Sequence, residues 1–176
     1  SHRYVSKRMC DFLGVNPEDK KVITCHIGNG GSIAAVDGGK CVDTTMGLTP
    51  LEGVMMGTRS GDIDGGAVSF IQKKLNLDAD GISNLLNKKS GVQGITGISS
   101  DMREVEAAEK AGNERAILAM EMYNYRIKKY IGAYAAAMGG LDAIVFTAGI
   151  GEHAPYIREH ALEGLEYLGI KLDKER

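Results

Sequence analysis

The glycines of this 176-residue chain limit most strongly what it can fold into. There are 24 of them, about twice the average share for a globular protein. They occur in clusters separated by apolar, strand-like segments, which is not the pattern of a flexible linker. The main clusters are Gly28, Gly30 and Gly31; Gly57, Gly61, Gly65 and Gly66; Gly94 and Gly97; and Gly149 and Gly151. Such clusters indicate tight turns, or a backbone that must approach another group closely.

The beginning of the chain is predicted to form a helix followed by a three-stranded antiparallel meander. Residues 3–13 have apolar side chains at helical spacing and precede Gly14, a typical helix terminator. Strand-like sequences follow over residues 22–27, 32–36 and 40–44. Glycine-rich turns separate them, so consecutive strands are expected to pair as hairpins.

The rest of the chain is predicted to be mostly helical, with one further strand. Helices are expected over residues 67–75, 80–88 and 101–111, and from residue 113 to the Gly139–Gly140 pair, with a glycine-punctuated loop before residue 101. Asp101 and Glu104 have the spacing of a capping box. The apolar run 143–147 is typical of a buried central strand. It turns at residues 149–152 into a helix with Pro155 in its first turn. This order predicts a single α/β domain over residues 1–176, with a mixed sheet covered by helices.

Composition argues against several classes of partner. The formal net charge is −2, with 21 basic and 23 acidic residues. The chain therefore has no overall excess of positive charge that would attract nucleic acid or an anionic membrane. No apolar run approaches membrane-spanning length. We therefore expect no nucleic-acid partner and no membrane partner. Three cysteines, none in a C-x-x-C pair, favour reduced thiols and a cytoplasmic location.

The segment from His26 to Gly30 is the first of three candidate functional segments. Its glycines allow successive backbone N–H groups to point into one concavity, which suits phosphate. His26 is placed to donate to a phosphate oxygen from the strand end. The alternative is a type I′ hairpin turn at Asn29–Gly30 with His26 as an ordinary strand residue. The local sequence alone favours that alternative.

The second segment carries Arg59 between glycines. A guanidinium in a loop can hold phosphoryl oxygens bidentately and stabilise charge that develops during phosphoryl transfer. Asp62 and Asp64 follow closely and are candidate Mg²⁺ ligands. Asx-type turns, or a salt bridge to Arg59, are the preferred interpretation of both carboxylates.

The third segment joins the strand 143–147 to the helix after it. A buried strand that enters a glycine turn at a helix start often binds a nucleotide, because glycine lets a base or sugar lie against the backbone. Gly149 and Gly151 lack the third glycine of a dinucleotide fingerprint, since Ala154 stands at that position. A plain strand-to-helix turn is the alternative.

Taken together, four segments resemble the acetate kinase (acetokinase) family in sequence, order and spacing. They are HIGNGGS from His26, DTTMGLTPLEG from Asp43, MGTRSGDID from Met56 and FTAGIGE from Phe146. The resemblance covers essentially the whole chain. It implies the ribonuclease-H-like fold of the actin/hexokinase/sugar-kinase superfamily, with ATP in a cleft between two such domains. It also implies a homodimer and a reversible, Mg²⁺-dependent transfer of a phosphoryl group between ATP and acetate, giving ADP and acetyl phosphate.

The resemblance also implies roles for individual residues. Arg59 would be catalytic and would stabilise the transferring phosphoryl group. The residues expected to hold the β- and γ-phosphates are His26, Ile27, Gly28, Asn29 and Gly30. Those expected to bind adenosine are Asp101, Met102 and Arg103, together with Gly149, Ile150, Gly151, Glu152 and His153. No metal ligand is expected within these residues.

The chain also departs from the family pattern. Family members are more than twice as long, and their acid-binding and metal-binding groups cannot be placed here. The family's catalytic histidine lies in the motif FHGTSH, of which Ser1 and His2 match only the end, so His2 is not expected to be that residue. Gly65 replaces a usual Pro, which loosens a helix start, and His153 stands where Asn is common. We therefore expect a fragment of a longer kinase that binds nucleotide weakly and turns over little.

Other functions remain open at this point. Propionate and butyrate kinases share much of the pattern, so the acid is less constrained than the reaction. A non-catalytic nucleotide-binding and dimerisation module would keep the same fold. A Rossmann-type dehydrogenase domain is disfavoured, because the first glycine turn joins two antiparallel strands rather than a strand and a helix.

Overall fold

The computed structural model describes residues 1–173, which form two compact units. The first unit combines Ser1–Thr45 with the described residues from Asn124 onward, and the second unit is Met46–Tyr123. The second unit therefore lies between two parts of the first in the chain. The prediction of one domain over residues 1–176 stays a prediction.

The first unit is built on a mixed four-stranded sheet. Its strands are β1 (Lys21–Ile27), β2 (Gly31–Asp37), β3 (Lys40–Thr44) and β4 (Ala143–Thr147), in the order β3-β2-β1-β4. β1, β2 and β3 form the predicted antiparallel meander, and β4 pairs with β1 in parallel. The predicted α/β class with a mixed sheet packed with helices is confirmed.

The core of this unit lies along β1 and β2. Ten of the fourteen residues of the two strands are buried, including Ile23, Cys25, Ile27 and Ile33 at 0% exposure. The prediction that residues 143–147 form a buried central strand is wrong in position. β4 has only β1 as a neighbour in the described sheet, and all five of its residues are half-buried. The apolar run identified a strand, but β1 occupies the central place.

Helices pack against this sheet, and two of the helices described here end at a glycine with positive φ. α1 (His2–Leu13) contacts β1 and β4 and ends at Gly14, which has φ +64°. The long helix α6 (Glu114–Met138) ends before Gly139, at φ +66°, as predicted. In the first unit α7 (Ala148–His153) and α8 (Pro155–Leu162) follow β4. No helix in the described part of the chain is both long and apolar enough to cross a membrane.

The second unit contains four helices before α6. They are α2 (Gly65–Lys74), α3 (Ala79–Lys88), α4 (Gly91–Thr96) and α5 (Met102–Lys110). The sequence predicted a loop where α4 lies, because three glycines punctuate it. Val92 and Thr96, four residues apart on one helix face, are both buried, and this burial supports the helix despite the glycines.

Aspartate side chains cap three of these helices. Asp64, Asp78 and Asp101 accept hydrogen bonds from backbone N–H groups in the first turns of α2, α3 and α5. The predicted capping box of α5 is only half formed. Asp101 accepts from the Arg103 N–H, but its own N–H donates to Ser99 Oγ at 3.0 Å instead of to Glu104.

Candidate functional site

Two of the predicted glycine segments lie next to each other at one edge of the sheet. β1 and β4 are parallel and in register from Val22–Ala143 to His26–Thr147, so both strands end at the same edge. A Cβ built on Gly28 would lie 3.8 Å from the Cβ of Ala148. The turn after β1 and the turn after β4 therefore form one surface, at the carboxyl ends of parallel strands, where α/β sheets commonly bind ligands.

The turn Gly28–Gly30 differs from both sequence interpretations. None of its three residues has positive φ, so the type I′ turn at Asn29–Gly30 is wrong, because that turn needs positive φ at both central residues. The Gly28 N–H donates to the Gly30 carbonyl at 2.9 Å, so it is committed within the turn. The amides of Asn29 and Gly30 have no protein partner in residues 1–173. An anion at this turn would meet two free amides rather than a run of three.

His26 is supported by a second histidine. It lies half-exposed at the end of β1, with Nδ1 3.3 Å from Ser1 Oγ, and its Nε2 has no partner among the described residues. The His2 ring stands edge-on to it, with ring centroids 6.3 Å apart. His26 can therefore donate from Nε2 to an oxyanion at the sheet edge.

The His2 side chain links β1 and β2 next to that edge of the sheet. Its Nδ1 lies 2.7 Å from Thr24 Oγ1, and its Nε2 lies 2.7 Å from Ser32 Oγ. Burial, then the neighbouring His26 and the N-terminal charge, lower the pKa of His2 below 6.5. The imidazole is therefore neutral at neutral pH. Its position indicates a structural role beside the turn, and the expectation that it is not the catalytic histidine stays a prediction.

Residues 149–152, predicted as a turn, belong to the short helix α7. Its first residue, Ala148, has φ +67°, which redirects the chain at the end of β4. The Thr147 hydroxyl and the Ala148 N–H both donate to Glu152 Oε1, at 3.2 and 3.1 Å. Arg158 Nη1 donates to the carbonyls of Gly151 and Glu152, at 2.8 Å each. Both ends of α7 are thus held by side chains.

The two glycines of α7 have different surroundings. Gly149 is exposed, and a Cβ built on it would meet nothing within 4 Å, so its backbone is open to a ligand. Gly151 is buried, and its Cβ would lie 3.5 to 3.6 Å from atoms of Phe146, Cys25 and Ile27. Gly151 therefore serves the packing of α7 on the sheet. Ile150 is half-buried and His153 is exposed at the end of α7.

Arg59 lies in a tightly bonded loop of the second unit. The Met56 N–H donates to the Arg59 carbonyl at 3.1 Å, and a Cβ on Gly91 would lie 2.2 Å from the Met56 carbonyl oxygen. The Arg59 side chain is half-buried. Nη1 makes long contacts with the Pro50 carbonyl at 3.4 Å and the Met56 sulfur at 3.6 Å. No described carboxylate forms an ion pair with Arg59. Most of its guanidinium donors are available to an anion.

The two aspartates after Arg59 serve the local backbone. Asp62 Oδ1 accepts from the Gly53 N–H at 2.8 Å, and Asp64 Oδ1 accepts from the Gly66 N–H at 2.8 Å. The Asp64 bond reaches the amide two positions on and is the preferred Asx-type turn. The Asp62 bond reaches back nine residues along the chain, so it is a loop contact and not an Asx-type turn. The described residues include no group of three or more His, Cys, Asp or Glu side chains placed to hold a metal ion.

Asp101, Met102 and Arg103 also lie in the second unit. The Arg103 guanidinium donates to both Asp101 oxygens, with Nη2 2.6 Å from Oδ2. The hydrogen bonds from the Arg103 side chain lower the pKa of Asp101 to about 2. Met102 is only 4% exposed and its side chain belongs to the core. Of the three predicted adenosine residues, only Asp101 and Arg103 present side chains to solvent.

Sequence reasoning missed two residues that shape the surface after β4. Ala148 was not selected, because nothing in a sequence shows that an alanine will have positive φ. Arg158 was not selected either. Its spacing of seven residues after Gly151 on a predicted helix gave no signal for a bond to that glycine's carbonyl.

Comparison with known proteins gives one consistent result. The model of the acetokinase family matches residues 1–176. Acetate kinases of Phocaeicola vulgatus and Bacteroides thetaiotaomicron are 68% and 71% identical to the chain over 176 and 173 residues. The match covers 100% and 98% of this chain but only 44% and 43% of those proteins.

Solved structures agree with these sequences. A crystal structure of Porphyromonas gingivalis acetate kinase superposes with a TM-score of 0.98 at 57% identity, covering 99% of this chain and 44% of that one. A propionate kinase from Francisella tularensis superposes with a TM-score of 0.93 at 44% identity, covering 99% of this chain and 45% of its own. The chain thus spans less than half the length of these relatives. With the whole of its described length matched in both sequence and fold, the chain belongs to the acetokinase family.

Proposed function

We propose that this chain is the nucleotide-binding part of an acetate kinase, which transfers a phosphoryl group reversibly between ATP and acetate. The observation that supports this most is the surface formed by the turns after β1 and β4. Within residues 1–173 it combines two unpaired amides, those of Asn29 and Gly30, with the unpaired Nε2 of His26 and the open backbone of Gly149. Such a surface offers donors for phosphate beside a flat backbone for a nucleoside.

In this proposal the donors after β1 bind the β- and γ-phosphates and α7 faces the adenosine. The family resemblance assigns adenosine binding to Asp101 and Arg103 as well, and both have polar groups exposed to solvent. A carboxylate oxygen of acetate forms a bond to the γ-phosphorus, while the bond to the bridging oxygen breaks and its electron pair leaves with ADP. Negative charge spreads over the equatorial oxygens during this in-line transfer. Arg59, whose guanidinium forms no ion pair with a carboxylate of the described residues, stabilises that charge.

Mg²⁺ fits this proposal as a counter-ion of the nucleotide. When bound, it neutralises charge on the phosphates. Asp62 and Asp64 are engaged with backbone amides, and the described residues offer no other ligand cluster. We therefore assign no metal ligand to this chain. A homodimer and a cytoplasmic location complete the proposal, and the three free cysteines, two of them buried, suit a reducing compartment.

Calorimetric titration with AMP, ADP and ATP, each with Mg²⁺, tests the proposal directly. Affinity should rise along that series, because each added phosphate meets donors at the turn after β1. His26→Ala should reduce the gain from AMP to ATP, while Arg8→Ala, at an exposed position on α1, should leave it unchanged. NAD serves as the competing ligand. Binding of NAD without ATP would refute the proposal, and so would equal affinity for the three nucleotides.

Propionate is the second candidate acid, supported by the 44% identical propionate kinase structure. Acetyl phosphate and propionyl phosphate formation, trapped with hydroxylamine, distinguishes the two. We expect little turnover from the chain alone and some preference for acetate where turnover is seen. Arg59→Ala should lower that turnover without changing ATP affinity by more than about threefold, because its guanidinium acts on charge that develops only in the transition state. Sedimentation equilibrium tests the homodimer.

A further inference from the structure

Ala148 has a backbone conformation that its own side chain disfavours. Its φ of +67° lies in the left-handed region, where Cβ crowds the following carbonyl. Only one other non-glycine residue in the described chain, Asn76, has positive φ. Asparagine tolerates that region through local hydrogen bonds, whereas alanine has no polar group with which to do so. The surrounding structure must therefore hold Ala148 in place.

Glu152 supplies the contacts that do this. One oxygen of its carboxylate, Oε1, accepts from the Ala148 N–H at 3.1 Å and from the Thr147 hydroxyl at 3.2 Å. These two donors flank the peptide whose direction sets φ of Ala148. Arg158 holds the opposite end of α7 through two carbonyls. Loss of the two hydrogen bonds to Glu152 would thus leave the start of α7, where Ala148 is strained, without support.

The conformation of Ala148 matters because of what its methyl group faces. The methyl lies 3.8 Å from the position of a Cβ on Gly28, at the start of the turn after β1. In the usual region of φ, the methyl and the path into α7 would point elsewhere. The strained conformation therefore brings the turn after β4 against the turn after β1.

We infer that Glu152 is a positioning residue, which holds Ala148 in the left-handed conformation and so sets the two turns against each other for nucleotide binding. This inference rests on the proposed function for its consequence, but not for the contacts themselves. It gives Glu152 a role distinct from direct contact with ATP.

Four variants of the full 176-residue chain test this: Glu152→Ala, Glu152→Gln, Ala148→Gly and the double variant Glu152→Ala/Ala148→Gly. Glu152→Ala should weaken MgATP binding about tenfold and lower the urea unfolding midpoint. Glu152→Gln keeps an acceptor oxygen at the same place, so its affinity should stay within about threefold of the parent. Glycine adopts positive φ without help, so the double variant should recover affinity to within about threefold.

The decisive comparison is the effect of Glu152→Ala with and without Ala148→Gly. A loss of affinity that glycine does not restore would mean that Glu152 touches the ligand, and would overturn the inference. An unchanged unfolding midpoint in Glu152→Ala would overturn it as well. If no variant and no parent chain binds MgATP, the proposed function fails. Recovery of the unfolding midpoint by glycine would still support the role of Glu152 in holding Ala148.

Discussion

Gly91 is the position where one added methyl group should most disturb the loop that carries Arg59. It has φ +62°, and its Cβ would lie 2.2 Å from the Met56 carbonyl oxygen and 2.7 Å from that of Arg59. Both obstacles are backbone atoms. The N–H groups around Gly91 tie the start of α4 to the same loop, through the bonds Ser90–Thr58, Val92–Met56 and Gln93–Gly57. Neither side can therefore move away without losing hydrogen bonds.

The expected cost of Gly91→Ala has two parts. An alanine in the left-handed region costs about 1–2 kcal/mol. Relieving the overlap with fixed backbone costs about 1–3 kcal/mol more, as in overpacked cores. The sum, about 2–5 kcal/mol, is a large share of the roughly 5–15 kcal/mol that holds a domain folded. We expect a strongly lowered unfolding midpoint and weaker support for Arg59.

Urea unfolding followed by circular dichroism measures this cost, with Gly14→Ala as the matched control. Gly14 has φ +64°, close to that of Gly91, but its Cβ would meet nothing within 4 Å. The control therefore reports backbone strain alone, about 1–2 kcal/mol. Equal losses in the two variants would refute the argument from steric overlap. A larger loss in Gly14→Ala would contradict it even more directly.

Three further substitutions test other parts of the structure. The pKa of His2 lies below 6.5, so the unfolded chain takes up a proton that the folded chain excludes. Stability should fall as the pH drops below about 6.5, the ordinary histidine pKa, and His2→Gln should flatten that slope in pH-dependent denaturation. Gly65→Pro, at the first residue of α2 and in open space, should stabilise by about 0.4–1 kcal/mol in the same assay, and any loss would count against it. Gly149→Ala should leave the unfolding midpoint unchanged but weaken MgATP binding about tenfold, or about 1.4 kcal/mol, whereas unchanged binding would place the adenosine elsewhere.

The features predicted well from the sequence depend on local interactions. Gly14 and Gly139 end helices with positive φ, and Asp64 forms an Asx-type turn with the Gly66 N–H at the start of α2. Each of these depends on residues only a few positions away. The strands β1 to β3 also follow from strand-like runs separated by short glycine-rich turns. For the same reason the candidate segments after β1 and β4 could be identified from their glycines.

The features missed depend on contacts that are distant in sequence. The position of β4 at the edge of the described sheet depends on which strands pair with each other. The apolar sequence of β4 does not indicate its pairing partners. The short helix α4 forms because Val92 and Thr96 are buried, although its glycines favour a loop. The left-handed Ala148 depends on Glu152 and on the neighbouring Gly28. Positive φ at an alanine cannot be deduced from the alanine itself.

The parallel pairing of β1 with β4 has a consequence for the order of folding during synthesis. β2 follows β1 directly, but the Lys21 N–H binds Asp142 Oδ2, 121 residues further along the chain. Contacts closed over such a distance form late. Ribosomes add about 5–20 residues per second, so β1 waits roughly 6–24 s for its second neighbour. Throughout that time the free edge of β1 can pair with another nascent chain.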